Sequence, residues 1–177
     1  TVSSSLSMLE DEKEAITKQM QHLQKLQKNV EHRLNTIHSA FSLPLDEIHL
    51  MTLPPRHCHR LFERYKHEEE MDFLMKQLIN LNQNRLYIIG SNQMGTMISL
   101  PSLLKKKTLS YQSVFLIDEE GADLIDGGDY LCVTYRGNYE QSAYWGQQLA
   151  QYAHAHKFKI RGDLLEILWI DIHTTSD

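Results

Sequence analysis

Glu166 stands inside the run DLLEILWIDI, residues 163–172, where most other residues are apolar. A carboxylate is costly to bury unless it is paired, and this run supplies no Lys or Arg. Period-two alternation places Leu164, Glu166, Leu168 and Ile170 on one strand face and Leu165, Ile167 and Trp169 on the other. Both faces are apolar, so both are expected to be covered, one by helices and the other by a ligand cavity or a partner. Glu166 then points to solvent, accepts hydrogen bonds from tyrosine hydroxyls or backbone amides, or waits in a pocket for a positive guest. In apolar surroundings its pKa would rise, and a cationic ligand would favour the charged form. Six tyrosines, Tyr87, Tyr111, Tyr130, Tyr135, Tyr139 and Tyr144, are spread where a groove could be lined. Each good cation–π contact is worth ~0.5–2 kcal/mol.

Other chemistry is less well supplied. His57 and His59 flank Cys58 at a spacing that could turn both imidazoles to one strand face and toward a metal. No third ligand is evident nearby, and Arg56 and Arg60 are unfavourable neighbours for a cation, so no metal is expected. His154 and His156 are two apart on a predicted helix and fall on different faces. The stretch GSNQMG, residues 90–95, lacks the spacing and flanking elements of a dinucleotide site. No nucleophile–base pair stands out. No cofactor is expected, and the chain reads as a binding module rather than an enzyme.

The elements that must position Glu166 begin with a long helix. Leu9, Ile16, Leu23, Val30 and Ile37 recur every seven residues, interleaved with Leu6, Lys13, Met20, Gln27, Leu34 and Phe41. This is a coiled-coil seam, and neither Pro nor Gly interrupts residues 1–43. So narrow a stripe needs a partner, and the reading is a homodimer joined through Leu9, Ile16, Met20, Leu23, Val30, Leu34 and Ile37. Lys13 and Gln27 in the seam would cost stability but could set register. The alternative is that the helix folds onto its own domain.

After Pro44 a second domain is expected over 44–177, with 1–43 as the coiled-coil domain. Strands are expected at 46–53, 86–90, 111–118, 129–136, 158–160 and 164–172. Amphipathic helices are expected at 68–81, from Met71, Leu74, Met75, Leu78 and Leu81, and from Asn138 to about His156. Asn138 and Gln141 have the spacing of a capping box. The order reads strand–helix–strand–strand twice, which predicts an α+β fold: a long N-terminal helix, then a duplicated β-α-β-β domain with an antiparallel sheet and two helices. A groove between the halves is a natural small-molecule site.

Composition limits the partners. With 41% hydrophobic and 23% charged residues the chain is of globular type, and a net charge of −5 argues against a nucleic-acid-binding surface, which needs a basic stripe. The one basic run, Lys105 to Lys107, reads as a solvated loop. No apolar run approaches the ~18 residues of a membrane span. The two cysteines suggest a reducing compartment, and a cytoplasmic location is expected.

The stretch GGDYLCVTYRGNYEQSAYWGQQLAQYAHAHKFKIRGDLLEILWID resembles the second half of a gyrase-inhibitor-like effector-binding domain. The residues that carry the resemblance are Gly128, Tyr130, Gly137, Tyr139, Gly162 and Glu166. The preceding heptad helix resembles the dimerisation helix of MerR-family transcription regulators, so the combination covers residues 6–177. The resemblance implies a small-molecule effector, in the multidrug-sensing members of the family a lipophilic cation, contacted by the acidic residue on the last-but-one strand. Glu166 occupies that position, with Tyr130, Tyr139, Leu168, Tyr87 and Tyr111 as the expected lining. Where the family often has an aromatic residue two positions later, this chain carries Leu168. DNA contact is expected only through an N-terminal winged helix-turn-helix, which this sequence does not contain. A further strand after Asp177 is expected either to lie beyond this sequence or to be lacking. Relatives of the fold suggest two alternatives: a hydrolase using Glu166 as acid or base, and a protein-binding module of gyrase-inhibitor type.

Overall fold

One helix, α1 (Val2–Ser42), runs for 41 residues, about 60 Å at ~1.5 Å per residue. It persists because no Pro or Gly breaks it and ends just before Pro44. The computed structural model describes residues 2–81, 93–105, 109–137 and 139–169. Along α1 the predicted seam faces outward: Leu6, Leu9, Ile16, Met20 and Leu23 are each more than half exposed. A different stripe turns inward near the C-terminal end, where Leu26, Asn29, Ile37 and Ala40 are half-buried and Arg33 is buried. Lys25 Nζ reaches Glu120 Oε1 at 2.9 Å, an exposed ion pair of the kind worth at most ~1 kcal/mol. The chain then turns at Asp46, whose φ of 61° lies in the left-handed region that Asp tolerates. The Asp46 N–H donates to the Thr134 carbonyl at 2.8 Å.

The strands are β1 (His49–Leu53), β2 (Arg56–Leu61), β3 (Met94–Ile98), β4 (Tyr111–Ile117), β5 (Asp123–Ile125), β6 (Gly128–Cys132) and β7 (Leu164–Leu168). The further helices are α2 (Glu68–Leu81), α3 (Leu100–Leu104) and α4 (Ser142–Ala155). β1 pairs with β6, and the remaining strands form a sheet in the order β5-β2-β4-β3-β7, every pair antiparallel. The fold is therefore α+β, with a long N-terminal helix and antiparallel sheets. Pro54 and Pro55 separate β1 from β2; neither has an N–H for a ladder, and the two strands enter different sheets.

α2 covers one face of the larger sheet. Met71, Leu74, Met75 and Leu78, at helical spacing, meet Ile98, Val114, Leu116, Tyr65 and Tyr111, with Leu164 packed at the margin. On the opposite face Cys58, Phe115 and Ile125 form a second cluster, joined by Met97, Leu165 and Ile167. The alternation predicted for β7 is thus seen in its packing. Gly95 lets the sheet close around Phe115. A Cβ there would lie 2.4 Å from Phe115 Cζ and 2.4 Å from the Glu166 carbonyl oxygen.

Several boundaries differ from the sequence expectation. Between the strands expected at 86–90 and 111–118, where no element is expected, the chain forms β3 and α3. MGTMI, with its Gly and two Met, has little intrinsic strand preference; pairing with β4 and β7 on both sides makes it a strand. β2 and β5 were likewise not anticipated. No strand forms at 158–160, where Phe158 and Ile160 are exposed. The end of α4 uses that backbone instead: the Phe158 N–H donates to Ala153 O at 2.8 Å and the Lys157 N–H to His154 O at 3.1 Å, with Lys157 at φ 58°. This is a Schellman closure, with Lys in the position Gly usually takes. α4 itself begins after a 3-10 turn, Tyr139–Gln141, without a side-chain cap hydrogen bond. The tightened turn takes up first-turn N–H groups in place of a cap. Asn138, the strand expected at 86–90 and the end of the last expected strand lie outside the described residues. Gly95→Ala is expected to lower the unfolding free energy by ~1–3 kcal/mol in urea denaturation; an unchanged midpoint would mean that Phe115 has room to move aside.

Candidate functional site

Glu166 sits in the middle of β7, opposite Thr96 of β3. Tyr135 Oη donates a hydrogen bond to its Oε1, and Ser142 Oγ donates to the same oxygen at 2.5 Å. Oε2 is shielded from solvent and has no hydrogen-bond partner among the described residues. Ser142 is the first residue of α4, so the positive end of that helix also lies beside the carboxylate. A small residue brings α4 this close: a Cβ on Gly146 would be 2.6 Å from Leu103 Cδ1 and 3.2 Å from Leu164 Cδ2. Tyr135 is held in turn by Trp145, whose ring stacks on it at 5.9 Å and 19°.

Burial pushes the Glu166 carboxyl above the usual glutamate range, while the hydrogen bonds from Ser142 and Tyr135 pull in the other direction. Tyr135 is held far above the ordinary phenol value, first by burial and then by the neighbouring Glu166 charge and hydrogen bond. The phenol therefore stays a donor, and Glu166 is the group that changes charge. Two donors on one oxygen and none on the other leave a half-satisfied acid.

The cavity beside it measures about 1090 Å³, at the upper end of the ~300–1,000 Å³ common for small-molecule sites. Its walls come from the C-terminal end of α1, from β1 and β6, from α4, from residues 158–163 and from the larger sheet. β7 is the outermost strand of that sheet among the described residues, and side chains of both its faces line the cavity. Trp145 offers a donor there: its Nε1 is shielded and has no partner among the described residues.

The predicted lining residues separate. Glu166, Leu168 and Tyr130 line the cavity, as does Trp169. The Tyr130 hydroxyl donates to the Asp126 carbonyl, which turns its polar end away from a free role. Tyr111 does not reach the cavity wall. It is 8% exposed and stacks on Tyr65 at 4.8 Å beneath α2, so it belongs to the core. Burial under α2 draws in a strand-end aromatic as readily as a groove would. Tyr87 and the side chain of Tyr139 lie outside the described residues. The histidines of β2 are engaged separately, His57 Nδ1 with Gly121 O at 3.1 Å and His59 Nε2 with Asp118 Oδ2 at 3.2 Å. No group of three or more His, Cys, Asp or Glu that could hold a metal occurs among the described residues. Of the seam residues, Leu9, Ile16, Met20, Leu23, Val30 and Leu34 are exposed, and Ile37 is half-buried.

Three members of the site were not singled out as ligand contacts from sequence: Ser142, Trp145 and, though counted among the groove tyrosines, Tyr135. Their signal is weak because Ser142 and Tyr135 are 24 and 31 residues from Glu166. No protein-family model matches the chain, and no curated protein is significantly similar to it.

The raised pKa of Glu166 sets a pH dependence. Folded chain holds the proton to higher pH than unfolded chain, so stability falls as pH rises from the ordinary glutamate value of 4.5 through the folded value. Glu166→Gln is expected to unfold at higher urea than the parent at pH 7–8, with the gap closing below pH 4.5. Linkage scales the gap at ~1.4 kcal/mol for each tenfold change in proton affinity. A gap that persists undiminished at acid pH would show that the glutamine gains from packing, not from lost charge.

Proposed function

We propose that this chain is the effector-sensing and dimerising part of a MerR-family transcriptional regulator. Residues 1–43 form its dimerisation helix and residues 44–177 a gyrase-inhibitor-like effector-binding domain. One observation carries the reading: a carboxylate oxygen, Glu166 Oε2, is shielded from water and lacks a partner among the described residues, on the wall of a cavity of about 1090 Å³. A lipophilic cation would supply the missing charge there while its apolar body fills the volume. Leu168 and Tyr130 are further contacts of that ligand, and the protein is a binding module rather than an enzyme.

The duplicated β-α-β-β plan draws on helix length and strand pairing, while the second half runs β6-α4-β7 among the described residues, without the strand expected at 158–160. α2 and α4 are each 14 residues long, and β1 and β6, the first strands of the two halves, pair with each other antiparallel. Two-fold related halves would pair in this way. Dimerisation is supported by the outward seam of α1. Burying one leucine of such a seam stabilises by ~1.5–3 kcal/mol over leaving it exposed. The mechanism is population shift: a ligand that binds one arrangement of domain and helix better biases the dimer. The bias reaches DNA through a winged helix-turn-helix domain outside this sequence, in the cytoplasm.

Calorimetric titration with decyltrimethylammonium tests the pocket. Glu166→Gln is expected to weaken binding by tenfold or more, ~1.4 kcal/mol, and equal affinity in the two proteins would remove the cation reading. Sedimentation tests the seam. Leu23→Glu is expected to convert dimer to monomer, whereas an unchanged dimer would place the interface elsewhere.

A further inference from the structure

We infer that the β2 wall of the same cavity is an anion subsite, where Arg56 and Arg60 hold the carboxylate or phosphate head of an amphipathic ligand. Both arginines line the cavity. Each has an Nε that is shielded from solvent and makes no hydrogen bond among the described residues. Arg56 lies opposite Ile125 in the ladder and Arg60 opposite Phe115, so they project from an apolar bed on the face away from α2. Neither guanidinium takes part in an ion pair among the described residues. Asp123, paired with Cys58 across the ladder, uses one carboxylate oxygen to accept the backbone N–H of Arg60 at 3.0 Å; the acids that line the cavity itself, Asp126, Asp129, Asp163 and Glu166, stand on other segments of its wall. Arg60 also lies over the exposed Phe62 ring at 5.1 Å, and its side chain hydrogen-bonds the Cys58 thiol.

The two charges act on a common point. Four residues along a strand separate their Cα atoms by roughly 13 Å, and Cys58 lies midway, buried between them. Both guanidinium groups lower the pKa of the Cys58 thiol, against the larger effect of burial, and Arg56 acts in the same sense on Cys132 of β6. At Cys58 the Asp123 carboxylate opposes them, and the Arg56 charge reaches toward β6, another wall of the cavity. A shielded, unpartnered Nε–H gains from a charged acceptor, since charge-assisted hydrogen bonds are the strong ones. The apolar body of such a ligand would lie along Met97, Ile125, Leu165 and Ile167, which line the same space.

The subsite rests on the cavity but not on Glu166, so the two can fail separately. Calorimetric titrations of the full chain would use decanoate, decyl phosphate, decanol and inorganic phosphate. Decanoate and decyl phosphate are expected to bind at least tenfold tighter than decanol. R56Q/R60Q should reduce both anions to the decanol level while leaving decyltrimethylammonium unchanged, and R56K/R60K should retain a measurable preference for the anions. If R56Q/R60Q fails to fold by circular dichroism, R56Q alone should lower decanoate affinity severalfold. Unchanged decanoate affinity in R56Q/R60Q, or in R56Q where only that variant folds, would overturn the subsite. So would decanol binding as tightly as decanoate, or inorganic phosphate binding as tightly as decyl phosphate. Loss of decanoate binding in the arginine variants, with unchanged decyltrimethylammonium binding in E166Q, would leave the subsite standing and remove the Glu166 reading alone.

Discussion

Glu166 is the group around which the cavity end of this fold is organised. A carboxylate taken from water needs replacement partners, and hydrogen bonds to a charged group contribute ~1.5–3 kcal/mol each. Here both protein donors, Tyr135 and Ser142, go to the same oxygen. The other oxygen keeps its desolvation cost, and the proton is held more tightly as a result. The arrangement depends on close packing elsewhere. At Gly146 a Cβ would crowd the ends of the Leu103 and Leu164 side chains where α4, which carries Ser142, packs toward β7. Without Gly95, neither Phe115 nor the β7 backbone could pack against β3 as they do.

The same cavity joins parts of the chain that are far apart in sequence. Ala40, Phe41 and Leu43, from the end of α1 and the residue after it, stand on its wall with β6 and β7. The Asp46–Thr134 hydrogen bond ties the segment after α1 to the chain just beyond β6. A molecule that fills the cavity therefore touches the base of the long helix directly. The proposed coupling of occupancy to helix position would act through that contact, since a ligand shifts an equilibrium only by its differential affinity for the two states. The cavity walls also carry charge of both signs, with Glu166 on β7 and Arg56 and Arg60 on β2. For that reason the guest proposed for it is amphipathic rather than purely apolar.

Sequence patterns served well where one local period was sufficient. The stretch free of Pro and Gly forms α1, and the helical spacing of Met71, Leu74, Met75 and Leu78 and the alternation through Leu164 to Leu168 describe faces that the structure buries, whereas the heptad seam of α1 stays exposed. They served poorly where a strand borrows its stability from neighbours. MGTMI became a strand between β4 and β7 despite its composition, and RHCHRL did so between β4 and β5. The segment at 158–160 failed as a strand because the closing turn of α4 claims the Phe158 N–H. Tyr111 shows the remaining ambiguity: an aromatic at a strand end reads the same whether it faces a groove or a core.

What the sequence determined by itself was the presence of an acid among apolar residues, the face of β7 it occupies, and the apolar seam of α1, because these are properties of neighbouring residues and a single period. Only the tertiary structure decided which groups answer that acid. Tyr135 and Ser142 arrive from 31 and 24 residues away, brought by the approach of α4 to β7, and Arg56 and Arg60 reach the same cavity from another strand. Partners at such separations are chosen by packing rather than by local pattern, since hydrogen bonds and fields depend on distance in space and leave no periodic trace in the chain.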